Sequence, residues 1–152
     1  MHTNILFLFS SIISLITAYI IEYIFNILPC TLCIYQRMIY YIVLSLSILY
    51  IIKNYQVFIY IIYCVYFIGV LISFYHIGIE SYWFHNIVGC TDQLADNLSI
   101  EQIRENFFQN TYSISCNSAN YIFNISLATW NFIYLLIILL GSGIIYANKN
   151  KT

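Results

Sequence analysis

The chain has 152 residues, of which 62% are hydrophobic and only 7% are charged. About a quarter of the residues of a soluble domain are charged, so this composition excludes a soluble globular protein and also a disordered one. The net charge of −1 offers no basic surface, which excludes nucleic acid as a partner.

Four long apolar stretches follow one another along the chain. Each is close to or above the roughly 18 to 20 residues that a helix needs to cross a bilayer. A helix pairs its backbone N–H and C=O groups internally, whereas an isolated strand leaves them unpaired in lipid. A membrane β-barrel would show short alternating segments, but these stretches are continuous. The sequence therefore predicts a single all-α membrane domain, a bundle of four transmembrane helices, with spans at about residues 5–28, 34–52, 55–79 and 122–146.

The first span is too long for a cleaved signal peptide, whose apolar part has roughly 7 to 15 residues. No Lys or Arg precedes Arg37, so the basic start of such a peptide is missing, and we expect the segment to stay as a helix. An acidic residue in lipid is a candidate for function, but Glu22 lies near the end of this span. We expect it to face the outer rim or to pair with a Tyr hydroxyl in a structural role.

The lysines predict the orientation of the bundle. Lys53 lies between the second and third spans, and Lys149 and Lys151 follow the fourth. In a four-span protein these positions share one face, which the positive-inside rule makes cytoplasmic, and both termini lie on it. The acidic loop of residues 80–121 then lies on the outer face. Within it, residues 94–108 are mildly amphipathic, and we expect a helix that acts as a spacer.

Four of the five cysteines lie on the predicted outer face, with Cys30 and Cys33 in a C-x-x-C before the second span and Cys90 and Cys116 in the long loop. Cysteines on the outer side of a bacterial-type membrane face an oxidising compartment, where disulfide bonds persist. Cys64 is alone in the third span. A lone buried Cys is usually a small apolar packing residue, and we expect that role for it.

The two pairs admit three interpretations. Structural disulfides fit the loop pair, which would close a sizeable loop, but a C-x-x-C closes a very small ring and is better suited to thiol exchange. A zinc site of four cysteines usually combines two C-x-x-C knuckles, whereas the second pair is widely separated. A c-type haem needs His at position 34, where the chain has Ile34. The third interpretation is a dithiol relay, in which one pair passes electrons to the other.

Arg37 favours the relay because it lies one helical turn after Cys33, on the same helix face. A fixed cation there favours the thiolate form of Cys33, and a guanidinium can donate hydrogen bonds to a carbonyl oxygen held at that depth. The alternative is an interfacial Arg that extends to lipid phosphate.

The chain resembles the disulfide bond formation protein B (DsbB) family over nearly its whole length. The resemblance rests on the P-C-x-L-C-x-x-Q-R motif at residues 29–37, on the four spans and on the second cysteine pair between spans three and four. Residues 75–80 and 125–131 resemble the family as well. The chain departs from the family pattern at Tyr121, where Trp is expected, and at Asn124, where Gly is common.

The resemblance implies a bacterial inner-membrane enzyme that reoxidises the periplasmic dithiol oxidase DsbA and passes the electrons to a quinone, either ubiquinone or menaquinone. Disulfide bond formation in the periplasm is thereby sustained. Carried over by position, Cys90 is the sulfur that reduced DsbA attacks, and the released Cys116 attacks Cys30. Cys33 then leaves as the thiolate and faces the quinone.

The same resemblance makes Arg37 the residue that holds the quinone and stabilises the Cys33 anion, and it places His76 near the quinone head group. Two rival classes stay open. Quinone reductases of the vitamin K epoxide reductase type carry the loop cysteines before the membrane C-x-x-C, which is the reverse of the order in this chain. Tetraspanin-like proteins use loop disulfides only as braces and carry a Cys-Cys-Gly, whereas this loop has Gly89-Cys90-Thr91.

Overall fold

The computed structural model describes residues 2–84, 116, 120–122 and 124–149 of the chain. Four long helices account for most of the described residues: α1 (His2–Tyr23), α2 (Thr31–Lys53), α3 (Val57–Glu80) and α4 (Leu127–Lys149). All four are long and apolar enough to cross a membrane. The predicted fold class, a four-helix membrane bundle, is confirmed.

The outer surface of the bundle is apolar, as a lipid-facing surface must be. Large hydrophobic side chains such as Phe9, Ile52, Phe67 and Ile137 are exposed. In water such a surface would cause association. In a bilayer it faces hydrocarbon, and the backbone polar groups stay paired inside each helix.

The helices pack in a ring, with α2 between α1 and α3, and with α4 closing against α3 and α1. Their common core contains Phe7, Val43, Ile62 and Tyr66, all fully buried. Polar groups link the helices inside this core, since the Tyr66 hydroxyl lies 2.6 Å from the Ser10 hydroxyl. Lipid provides no hydrophobic drive between helices, so close packing and such internal hydrogen bonds hold the bundle together.

The first helix ends at Tyr23, short of the predicted end at residue 28. The reason is backbone conformation. Asn26 has a φ of 53° in the left-handed region, which ends a helix, and Pro29 disfavours helical conformation in the residue before it. The apolar residues after Tyr23 extend the hydrophobic run but not the helix.

The second helix begins at Thr31, with Cys30 as its N-cap. The Cys33 backbone N–H donates a hydrogen bond to Cys30 Sγ at 3.3 Å, which satisfies one of the free donors at the helix start. The motif that carries the cysteines therefore also begins the helix. The N-terminal end of α2 thereby becomes the place where the sulfurs lie.

A short hairpin precedes the last helix. Strand β1 (Tyr121–Ile122) pairs antiparallel with β2 (Ile125–Ser126), and α4 begins only at Leu127. Ser126 caps α4, because its hydroxyl accepts a hydrogen bond from the Thr129 N–H at 3.2 Å. Asn124, at the hairpin turn, has a φ of 65°. This position favours Gly, and Asn is among the residues that tolerate the left-handed region best, which explains this departure from the family pattern.

The cysteine-bearing start of α2 and the end of α3 at Glu80 lie at one end of the bundle, and Lys53 lies at the opposite end of α2. This arrangement agrees with the orientation drawn from the lysines. The sidedness of both termini stays a prediction. Lys151 and the amphipathic segment 94–108 lie outside the described residues.

Candidate functional site

Cys30 and Cys33 lie together at the N-terminal end of α2. Their Sγ atoms are 2.8 Å apart, and both residues are free thiols. A disulfide bond is about 2.05 Å long, so a small movement of either side chain joins them. This pair can alternate between dithiol and disulfide without any rearrangement of the helix.

The environment of Cys30 favours its anion. A hydrogen bond from the Cys33 side chain lowers the pKa of the Cys30 thiol from its ordinary value of 9.0 to about 4. Hydrogen bonding and the charge of His76 act in the same direction, while burial opposes them. In the dithiol form, Cys30 therefore carries the negative charge and Cys33 the proton.

His76, on α3, belongs to this sulfur site. Its Nε2 atom lies 3.6 Å from Cys30 Sγ and 3.7 Å from a carboxylate oxygen of Glu80. On the other side of the ring, the Gln36 amide donates to Nδ1 at 3.2 Å. The other ring nitrogen, Nε2, faces the Cys30 sulfur, to which it can donate a hydrogen bond. His76 and Gln36 are both buried.

Cys116, from the long loop between α3 and α4, packs against the Cys30 site. It is 1% exposed and packs in a buried group with Cys30, Leu32 and Ile79. Cys116 is disulfide-bonded. Its expected partner, Cys90, lies outside the described residues. The structure therefore brings three of the four predicted redox cysteines to one place.

A cavity of about 450 Å³ opens beside Cys33. Its walls come from α1, α2 and α4, from the segment between α1 and α2, and from Asn120 and Ile122 at the hairpin, and its lining is mostly apolar. Cys33 and Arg37 line the cavity. Cys30 and His76 are not among the described residues that line it. The two sulfurs of the C-x-x-C thus have different neighbours: Cys30 faces the buried cluster and Cys33 faces the cavity.

Arg37 is fixed at the cavity wall by three contacts from α1. Its Nη1 donates to the Glu22 carboxylate, and its Nη2 donates to the Ala18 carbonyl at 3.2 Å. Its guanidinium also lies 5.4 Å from the centre of the Tyr19 ring, which is a cation–π distance. Arg37 therefore pairs with protein groups, and Glu22 pairs with Arg37, not with a Tyr hydroxyl as expected.

A hydrogen-bonded chain crosses the cavity wall between three helices. The Tyr40 hydroxyl donates to Asn131 Oδ1 at 2.5 Å, and Asn131 Nδ2 donates to the Ser73 hydroxyl at 2.8 Å. Tyr40 and Asn131 both line the cavity. The sequence predicted no role for Asn131 beyond its place in the 125–131 segment. Its signal is that it is an uncharged polar residue within a predicted span.

Cys64 lies on the exposed face of α3 as a free thiol. The expectation that it packs in the core was wrong, because α3 turns its other face to α2 and α4. It lies on a different part of the surface from the sulfur cluster and the cavity, and it contributes to neither.

Comparison with known proteins gives two findings. The model of the disulfide bond formation protein DsbB family matches residues 2–145, nearly the whole chain. The uncharacterized protein RP370 of Rickettsia prowazekii (strain Madrid E) is 30% identical over 97% of this chain and 90% of its own length.

Proposed function

Because the chain belongs to the DsbB family of disulfide bond formation proteins, we propose that it is a membrane thiol:quinone oxidoreductase that reoxidises a DsbA-like periplasmic dithiol oxidase. The family match favours this activity over the vitamin K epoxide reductase and tetraspanin alternatives. One observation carries the proposal. Disulfide-bonded Cys116 packs against Cys30, while Cys33, on the same helical turn, lines an apolar cavity.

The first half of the proposed relay is disulfide exchange between the two pairs. A thiolate of the reduced partner attacks Cys90 Sγ, the Cys90–Cys116 bond breaks, and Cys116 leaves as a thiolate. Cys116 then attacks Cys30 Sγ, the Cys30–Cys33 bond breaks, and Cys33 leaves with the electron pair. The buried contact between Cys116 and Cys30 supports this order, because Cys30 and not Cys33 is the C-x-x-C residue buried in the same cluster as Cys116.

The second half restores the loop bond. The second thiolate of the partner attacks the partner's own sulfur in the mixed disulfide, and Cys90 leaves while the partner departs oxidised. Cys90 then attacks Cys116, the Cys90–Cys116 bond forms again, and Cys30 is released. The net result is an oxidised partner and a reduced Cys30–Cys33 pair that holds two electrons. The proposal is supported by a bonded Cys116 beside two free C-x-x-C thiols.

The cavity beside Cys33 fits a quinone ring. Its volume of about 450 Å³ lies within the range of roughly 300 to 1,000 Å³ of small-molecule sites, and its apolar walls suit a lipid-soluble ring. Several polar side chains lie in the wall, among them Arg37, Gln36 and Asn131, and they can meet ring oxygens. A quinone held there would supply the acceptor for the two electrons of the reduced pair, and Cys33 and Arg37 would lie beside its ring.

Within this cavity, Arg37 is the residue that we propose holds a quinone oxygen and stabilises the Cys33 anion. Two of its five N–H donors are used by Glu22 and Ala18, so others stay available for a carbonyl oxygen. Glu22 holds the guanidinium at the wall and balances its charge. Glu22 is therefore a positioning residue.

The expected position of His76 near the quinone head group stays a prediction, and its contacts support a role at Cys30 as well. These contacts are with Cys30, Gln36 and Glu80, and of the three Gln36 also lines the cavity. We propose that its Nε2–H steadies the Cys30 thiolate when exchange releases it.

The proposed location is the bacterial inner membrane, with both termini cytoplasmic and the four redox cysteines on the periplasmic side. The position of Lys53 at the end of α2 opposite to Cys30 supports this orientation. The soluble partner then reaches Cys90 from the periplasm. The quinone reaches the cavity from the bilayer.

The test is reoxidation of a reduced DsbA-type oxidase by the purified protein in detergent with ubiquinone or menaquinone. We expect one quinone to be reduced for each partner disulfide formed. Cys33→Ala and Cys90→Ala should each abolish turnover, while Cys64→Ala, which removes a thiol outside the site, should match the parent protein. Quinone-independent reoxidation, or normal turnover in either redox-cysteine variant, would contradict the proposal.

A further inference from the structure

Three donor atoms converge at the start of α2. Cys30 Sγ, Cys33 Sγ and His76 Nε2 all lie within 4.8 Å of one another. We propose that the reduced Cys30–Cys33 pair and His76 form a binding site for a thiophilic divalent cation of the zinc class, and that the bound cation blocks reoxidation of the dithiol. The binding stands on this geometry, and only the blocking effect rests on the proposed function.

The donor set and its spacing suit zinc. Two thiolates and one imidazole are a common protein ligand set for this ion, with Zn–S near 2.3 Å and Zn–N near 2.0 to 2.1 Å. Tetrahedral angles then require about 3.6 Å between sulfur and nitrogen and about 3.8 Å between the sulfurs. The Cys30–His76 separation is 3.6 Å. The sulfurs, at 2.8 Å, must open by about 1 Å, which a side-chain rotation of Cys33 provides.

The surroundings supply what a metal-bound histidine needs. Such a histidine usually donates its second ring N–H to an oxygen acceptor. The Gln36 amide contacts Nδ1 at 3.2 Å, and rotation of that amide presents its oxygen in place of its nitrogen. A carboxylate oxygen of Glu80 lies 3.7 Å from Nε2, so it is near enough to turn onto the fourth position of the ion.

Charge balance favours the ion in this buried place. Cys30 is 6% exposed and His76 is 3% exposed, and an unpaired charge at such a site is costly. Cys30 is already a thiolate in the reduced pair, so binding replaces the one thiol proton of Cys33, and the assembly of two thiolates with the divalent cation is neutral. No electrons are transferred. The disulfide form has no thiolate to offer, so only the reduced pair binds.

This site differs from a zinc site of four cysteines, because its third ligand is a histidine of α3 and its function is inhibitory. The bound cation occupies the lone pairs of Cys30 and Cys33 that would form the disulfide. Electrons delivered by the partner then stay on the pair. Removal of the cation by a chelator restores the dithiol.

The test measures cadmium and zinc binding to the full-length protein in detergent, reduced and freed of reductant, without quinone or partner. Cadmium is followed by the ultraviolet absorption of its thiolate bonds, and zinc by competition with a chromophoric chelator. The reference protein carries Cys90→Ser and Cys116→Ser, so that the loop thiols do not contribute to the measured binding. We expect one ion per reduced chain and none after oxidation of the C-x-x-C.

Three variants of that reference protein decide the ligands. His76→Gln should weaken binding at least about tenfold, and Cys33→Ser should weaken it more. His76→Cys should retain binding because it restores a third ligand, a result that a purely structural role of His76 does not produce. The Cys64→Ala variant is the matched control and should bind normally. Thermal unfolding of each metal-free variant checks that it is folded.

Binding of the ion by the oxidised protein, or equal affinity in the His76→Gln variant, would overturn the site. The blocking effect is tested separately, by turnover of the unmodified protein with and without zinc and after chelation. Normal zinc binding without inhibition of turnover would overturn the proposed blocking effect, while the proposed binding site would stand. Loss of all turnover in the absence of zinc would instead contradict the proposed function while the binding data still stand.

Discussion

Arg37 offers the sharpest test of how the cavity works. The guanidinium is held by Glu22 and Ala18 at the wall that Cys33 shares. In the proposed function, replacing it by Ala removes the charge-assisted hydrogen bond that Arg37 makes to a quinone oxygen, which is worth about 1.5 to 3 kcal/mol. Since about 1.4 kcal/mol is a tenfold change, we expect the apparent KM for quinone to rise about 10- to 150-fold. Exchange between reduced partner and the loop disulfide should stay near normal.

Two further variants separate charge from geometry. Arg37→Lys keeps the cation but loses the planar fork that reaches Glu22 and Ala18 together, so we expect only partial rescue of the quinone KM. Glu22→Gln leaves the guanidinium in place without its counter-charge. The pair is partly buried, at 17% and 20% exposure, so we expect a smaller rise in KM, corresponding to about 1 kcal/mol.

The double variant tests whether Glu22 acts through Arg37. If it does, Arg37→Ala combined with Glu22→Gln should have the same quinone KM as Arg37→Ala alone, because the two effects share one contact. The assay is steady-state kinetics with varied quinone, beside single-turnover formation of the mixed disulfide with the partner. Slowed mixed-disulfide formation with an unchanged quinone KM in Arg37→Ala would refute the reasoning and assign Arg37 to partner docking. Additive effects would refute the positioning role of Glu22.

Three other predictions follow from local features. In the reduced protein with a chelator present, alkylation of Cys30 should persist as the pH falls and decline only near its lowered pKa of about 4. Cys33→Ala should move that decline to higher pH, and an unchanged midpoint would contradict the hydrogen-bond cause. Asn124→Ala should lower the unfolding free energy by about 1 kcal/mol because of the positive φ, whereas Asn124→Gly should not, as thermal unfolding in detergent will show. A membrane-impermeant thiol reagent should label Cys90 and Cys116 in mildly reduced spheroplasts, and labelling only after membrane rupture would invert the orientation.

The fold was predictable because lipid leaves few choices. Long apolar runs must become helices in a bilayer, and the described residues contain the four expected ones. The sulfur pair was predictable because its geometry is local. Cys30 and Cys33 lie on one helical turn, and the cap that begins α2 positions both sulfurs.

The helix faces were not predictable, because the helices are apolar on all sides. A polarity pattern identifies the inward face only where the outward face is polar. Cys64 was therefore expected in the core, but it is exposed on α3. For the same reason the pairing of Glu22 with Arg37 could not be foreseen, since it depends on the relative rotation of α1 and α2.

The end of the first helix was misjudged for a related reason. Ile24, Phe25, Ile27 and Leu28 continue the apolar run, so composition alone extends the span to residue 28. The structure shows a second use for apolar residues near lipid, because Ile27 and Leu28 line the cavity beside Cys33. Hydrophobicity marks the depth of a segment in the membrane, and it does not distinguish a helix from a cavity wall.

The two sulfurs of the C-x-x-C have different surroundings, and the proposed relay uses this difference to serve a soluble donor and a lipid-soluble acceptor. The sulfurs are 2.8 Å apart, yet Cys30 lies with Cys116 and His76 in a buried cluster while Cys33 lies at an apolar cavity with Arg37. In the proposed relay, the soluble donor reaches the pair through the loop cysteines, and the lipid-soluble acceptor reaches it through the cavity. In the proposed relay, direction therefore comes from access, because each exchange step is nearly reversible by itself. The same convergence of thiolates on His76 gives the reduced state its proposed affinity for zinc, so the intermediate that carries the electrons is also the one exposed to inhibition.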